Sequence, residues 1–101
     1  MILYNVTVKI DNDIHLEWLK WMKETHIPDV MATNCFTENK IMRLIDPPTD
    51  EMGTTYASQY FCKDLPTLQY YWQAHAPALQ ADHTERYKGR FGAFRTVMEL
   101  V

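Results

Sequence analysis

Three glycines and two cysteines in 101 residues already exclude several kinds of protein. So few glycines leave no glycine-rich loop to cradle a phosphate. Cys35 and Cys62 are too few for a disulfide framework and lack the close spacing of a zinc knuckle, so both are read as reduced thiols. A surplus of basic charge is also missing. The formal net charge is −3 and the acids and bases are interspersed, so no basic stripe faces a phosphate backbone and nucleic acid is not an expected partner. No apolar run approaches the ~18 to 20 residues that span a bilayer, and the first residues enter a strand pattern without a charged lead or cleavage site. A cytoplasmic protein without a membrane partner is the expectation. No Ser/His/Asp triad or paired-carboxylate arrangement stands out, and single residues of those types identify no reaction without geometry. No catalytic residue can be named, and no cofactor is expected.

What is present is a chain 47% hydrophobic and 23% charged, the composition of one globular domain over residues 1–101. From Ile2 to Ile10 the residues alternate: Ile2, Tyr4, Val6, Val8 and Ile10 take one side, and Leu3, Asn5, Thr7 and Lys9 the other. That is a strand with one oily face. Asp11 to Asp13 supply capping side chains, and from near Asp13 the stripe Ile14, Trp18, Trp21, Met22 and Thr25 predicts a helix packed on that face. Pro28 lacks an N–H and disfavours helix at Ile27, so a break is expected there, with a short further turn to Asn34. Cys35 to Ile45 and Thr54 to Cys62 read as a hairpin around the turn-rich PPTDEMG, in which Pro47, Pro48, Asp50 and Gly53 favour loop geometry. Asp64 caps a second helix with Leu65, Leu68, Trp72, His75, Ala76 and Leu79 on one face, kinked or restarted at Pro77 and closed by Gly89. RFGAFRTVMELV is the last strand. The order β-α-β-β-α-β defines an α+β, ferredoxin-like fold: a four-stranded antiparallel sheet with both helices on one face.

That last strand is oily on both sides, with Phe94, Met98 and Leu100 facing one way and Phe91, Ala93, Val97 and Val101 the other. A sheet face of this kind left in water is a large apolar patch, so a homodimer through the sheet face is predicted. The competing expectation is that the C-terminal residues cover a sheet edge.

The phrases YNVTVKID, HLEWLKWMKETHIPDVMAT and HAPALQADHTERYKGRFGAFRT resemble a bacterial family known as domain of unknown function 4286. The element order is similar to that of the dimeric α+β barrel superfamily, which includes cofactor-independent monooxygenases and haem-binding or haem-degrading enzymes. In the haem-degrading members an Asn on the first strand, a Trp on a strand and a His on the second helix act together. By that resemblance Asn5 and either His75 or His83 match by element. Trp18, Trp21 and Trp72 all fall on helices, which argues against haem degradation.

The stretch from His75 to Arg95 holds two of the four histidines and four basic residues, Arg86, Lys88, Arg90 and Arg95. His75 beside Pro77 reads either as a ligand contact between helix and sheet or as a core histidine bonded to a freed carbonyl. His83 lies about 80° around the helix and ~12 Å along it from His75, so the two cannot share a metal. His15 and His26 are about 16 Å apart at helical rise and cannot either. A hairpin register setting Cys35 opposite Cys62, with His26, would still make a thin ligand set, and no metal site is expected. The basic turn is read as solvated and ion-paired to Asp82 and Glu85. Arg95 differs, because its parity aims it at an apolar face where a cation needs a partner: Glu99, a residue across the dimer, or a ligand.

Two functions remain open. The leading one is a non-catalytic interaction or structural homodimer. The alternative is a small-molecule binding protein, for haem or an aromatic acid, or a cofactor-independent monooxygenase-like enzyme, with Tyr4, Asn5, Tyr60, Trp72, His75 and Arg95 around the pocket.

Overall fold

In a computed structural model, which describes residues 1–48 and 51–101, the first strand β1 (Ile2–Asp11) pairs antiparallel with both β3 (Gly53–Cys62) and β4 (Phe91–Glu99). β2 (Glu38–Arg43) adds to the far side of β3, giving the sheet order β2-β3-β1-β4. The alternation in β1 translates into burial except at Val6, which is half-buried, and at Asn5, which is buried on the other face. Ile2, Tyr4, Val8 and Ile10 are buried under the helices, and Lys9 is exposed on the other face. Tyr4 stands beside Tyr60 and Val8 beside Tyr56, so β1 and β3 present one continuous aromatic and aliphatic floor. At roughly 1.5–3 kcal/mol for each fully buried large side chain, this floor and the helices over it carry most of the stability.

After a 3₁₀ turn (Asn12–Ile14), α1 (His15–Trp21) lays Trp18 on that floor, fully buried with its ring 5.1 Å from Tyr56, while Trp21 packs against His83 and Tyr87. The expected break at Ile27 does not occur. A π-helical segment (Met22–His26) leads directly into α2 (Ile27–Met31), and the Ile27 N–H bonds the Met22 carbonyl five residues back. Pro28 then falls in the first turn of α2, where a missing N–H is harmless. The π turn inserts the equivalent of one residue, which rotates everything beyond it by about 100°. Thr25, expected inside, is therefore exposed, while His26 is half-buried and Ile27 and Val30 are buried.

β2 is shorter than the expected Cys35–Ile45, and its ladder pairs Glu38 with Phe61. Cys35 lies before the strand and does not stand opposite Cys62 in it; both thiols are buried and free. Of the predicted turn residues between β2 and β3, Asp50 lies outside the described residues. Asp64 caps α3 (Leu65–Ala74), accepting from the Thr67 N–H at 2.9 Å and the Thr67 hydroxyl at 2.6 Å. Pro77 does restart the helix: α3 ends at Ala74, His75 leaves helical geometry, and α4 (Ala76–Tyr87) begins one residue before the proline. Gly89, at φ 76°, makes the tight exit into β4. Arg90 there pairs with Asp11 (2.7 Å) and Asp13 (2.5 Å), replacing the predicted partners Asp82 and Glu85. No helix among the described residues is long and apolar enough to cross a membrane.

Candidate functional site

The helical layer does not fill the space over the β1–β4 side of the sheet. A cavity of about 260 Å³ remains there, with Tyr4, Val8, Ser58, Tyr60, Ala93 and Arg95 on its sheet wall and Met22, His26, Val30, Tyr71, Leu79 and His83 on its helical wall. The π turn before Pro28 and the restart at Pro77 aim His26 and His83 at the same gap, 5.8 Å apart by ring centres.

The two imidazoles are in different states. Trp18 Nε1 donates to His83 Nε2 at 2.9 Å, so that nitrogen holds a lone pair and the proton of the neutral ring is on Nδ1. Burial, reinforced by His26, pushes the pKa of His83 down to about 4, and the ring stays neutral at pH 7. Its ring stands perpendicular to that of Phe91, with centres 4.5 Å apart. Burial likewise lowers the pKa of His26, opposed by the charges of Asp82 and Asp29. His26 makes no hydrogen bond among the described residues: Nδ1 is sealed in without a partner, leaving Nε2 as the nitrogen open to bonding. On the floor, Ser58 Oγ donates to the Tyr60 hydroxyl at 3.0 Å, and burial raises the Tyr60 pKa to about 12, so it remains a phenol.

The six residues put forward from the sequence separate here. Tyr4, Tyr60 and Arg95 face the cavity. Trp72 sits behind it, edge-on to Tyr4 with ring centres 5.7 Å apart, and the Arg95 guanidinium lies 5.9 Å from the Trp72 ring centre. Asn5 is misplaced as a pocket residue. Strand parity puts it on the opposite face of the sheet, where its Nδ2 donates to Thr7 and Thr96 hydroxyls at 3.0 and 3.2 Å. His75 is also outside: at the break between α3 and α4 its ring packs on Tyr70 and Tyr71, centres 5.6 and 6.4 Å away, and the cavity does not reach it. Helical geometry excludes its pairing with His83, whereas the pairing of His83 with His26 is one that sequence reasoning misses. Half of that signal is present, because restarting the helix at Ala76 puts Ala76, Leu79, His83 and Tyr87 on one face. The other half depends on the π turn, which no periodicity announces.

Among the described residues no group of three His, Cys, Asp or Glu side chains is placed to hold a metal ion. Of the two cavity histidines, His83 has no nitrogen lone pair free for a porphyrin iron. The cavity is below the ~300–1,000 Å³ usual for drug-sized ligands.

A four-stranded antiparallel sheet carrying helices on one face and a pocket between the layers defines the ferredoxin-like α+β class found in dimeric α+β barrel proteins. Within it, the chain belongs to the family of domain of unknown function 4286, whose model matches residues 1–101. No curated protein matches the sequence. Solved structures similar to it share the fold at low identity. MhuD, solved as a mutant with two manganese protoporphyrin IX bound per active site, has a TM-score of 0.74 at 15% identity, with 100% of this chain and 95% of that chain covered. A dimeric ferredoxin-like protein from an uncultured marine organism has a TM-score of 0.71 at 12% identity, covering 100% and 95%. SnoaB, a cofactor-independent oxygenase from Streptomyces nogalater, has a TM-score of 0.64 at 9% identity, covering 98% and 92%.

Proposed function

We propose that residues 1–101 form one domain that works as a cytoplasmic homodimer and binds a small ring-containing molecule between sheet and helices. The observation that carries this reading is the cavity itself: apolar and aromatic walls with a few converging polar groups, Ser58, Tyr60, His26 and Arg95, the usual make-up of a small-ligand site. A purely structural dimer, favoured from sequence alone, gives no reason for such a space between the sheet and its helices. Dimerisation is supported by the apolar side chains on the helix-free face, where Phe94 is 62% and Met98 46% exposed, and by similar structures described as dimeric. Two buried free thiols agree with a reducing compartment.

Light scattering at micromolar concentration should give twice the chain mass, and a monomer rules the dimer out. Calorimetric titration with 2-naphthol, a neutral two-ring probe, should saturate in the native protein and fail in Ala93→Trp, which fills the cavity from the sheet wall. Unchanged binding in that variant rules the cavity out as the site.

A further inference from the structure

Four features of the cavity wall bear on what kind of molecule it takes. Among the described residues Arg95 is the only lysine or arginine on it, and no aspartate or glutamate lines it, so nothing within the cavity repels an anion. The guanidinium has no carboxylate partner among the described residues; its neighbour is the Trp72 ring, and Glu99 on the same strand face makes no ion pair with it. A planar guanidinium held against an aromatic ring keeps its N–H fork free for a planar, bidentate acceptor. Across from it on the helical roof, His26 is the imidazole left without a hydrogen bond, since His83 is committed to Trp18. Between the two lie tyrosine rings and aliphatic side chains.

We infer, resting on the cavity being a ligand site, that its ligand is a planar aromatic carboxylate of one or two rings. The carboxylate is taken by Arg95 from the sheet side, and a hydroxyl at the far end of the ring system meets His26. The volume of about 260 Å³ accommodates two fused rings and little more. A neutral ligand forgoes the charge-assisted pair with Arg95, and an acid without the distal hydroxyl forgoes the bond to His26, each a smaller gain in affinity.

The test uses 6-hydroxy-2-naphthoate, its neutral 6-hydroxy-2-naphthamide and the unhydroxylated 2-naphthoate in calorimetric titrations at pH 7. The hydroxy acid should bind about 10- to 100-fold more tightly than the amide, as expected for a charge-assisted hydrogen-bond pair. Arg95→Met should erase that difference, and Arg95→Lys should restore part of it. Arg95 is exposed, so both variants keep the fold. His26→Leu should weaken the hydroxy acid about 2- to 10-fold and leave 2-naphthoate unchanged. If acid and amide bind alike, and both are blocked by Ala93→Trp, the carboxylate inference is overturned while the cavity remains a ligand site. If none of the three binds at millimolar concentration, both fall.

Discussion

β1 and β4 are hydrogen-bonded neighbours, both rich in apolar residues, yet their side chains meet opposite fates. Ile10 is 0% exposed and Val8 3%, while in β4 Phe94 is 62% exposed and Val97 39%. Apolarity along a strand therefore records that burial is needed somewhere, without saying that the same chain provides it. β1 lies mid-sheet under both helical arms. β4 is an edge strand whose helix side borders the cavity and whose other side has no cover among the described residues of the chain. The stability of the domain should thus reside in β1, and its interactions with other molecules in β4.

Truncation in β1 tests the first half of that division with the largest effect. Ile10→Ala removes a fully buried side chain and should cost about 2–5 kcal/mol, read from the urea midpoint at an unchanged slope. A loss under 1 kcal/mol would mean that the centre of the sheet is not the stable part.

The helical cover over the start of β4 should be the acid-sensitive part of the fold. His83 titrates near its ordinary 6.5 when unfolded and near 4 when folded, so between those values the unfolded chain binds more protons. Stability is therefore intact above about pH 6.5 and falls as pH drops towards 4, by on the order of 2 kcal/mol once partial solvent screening is allowed for. His26, shifted in the same direction, adds to the slope. His83→Gln keeps an acceptor for Trp18 and should flatten the pH dependence of the unfolding free energy between pH 7 and 5. An unaltered slope would place the acid sensitivity elsewhere.

Much of this was legible in the sequence, because alternation and capping are local. The β-α-β-β-α-β order, the oily face of β1, the Asp64 cap and the restart at Pro77 all follow from neighbouring residues. The site was less legible, for two reasons visible in particular residues. Asn5 entered the candidate pocket by resemblance although its own parity with Leu3 and Thr7 put it on the other face. His26 was hidden because a helix meeting a proline has two outcomes, a break or a π turn, and only the second turns His26 inward. Which occurs depends on whether Ile27 and Val30 gain burial by continuing the helix, and that is a tertiary question. The side of the sheet that Arg95 takes was readable from strand parity alone, since it alternates with Phe91, Ala93 and Val97, but its exposure, which lets it do without an ion-pair partner, was not.

The smallest effect gives the sharpest test of how β4 is used. Val97 and Met98 are adjacent, comparably exposed at 39% and 46%, and point to opposite sides of the sheet, Val97 beside Tyr4 on the helix side and Met98 beside Leu3 on the uncovered side. If two copies meet through the uncovered face, Met98→Ala should cost about 1 kcal/mol per protomer, with a midpoint that rises with protein concentration. Val97→Ala should stay within about 0.5 kcal/mol at every concentration, as an uncovered surface residue does. The reverse order would move the interface to the helix side of the β4 edge. A partner bound there would cover the cavity mouth at Arg95, and that guanidinium would meet the second copy before it met a ligand.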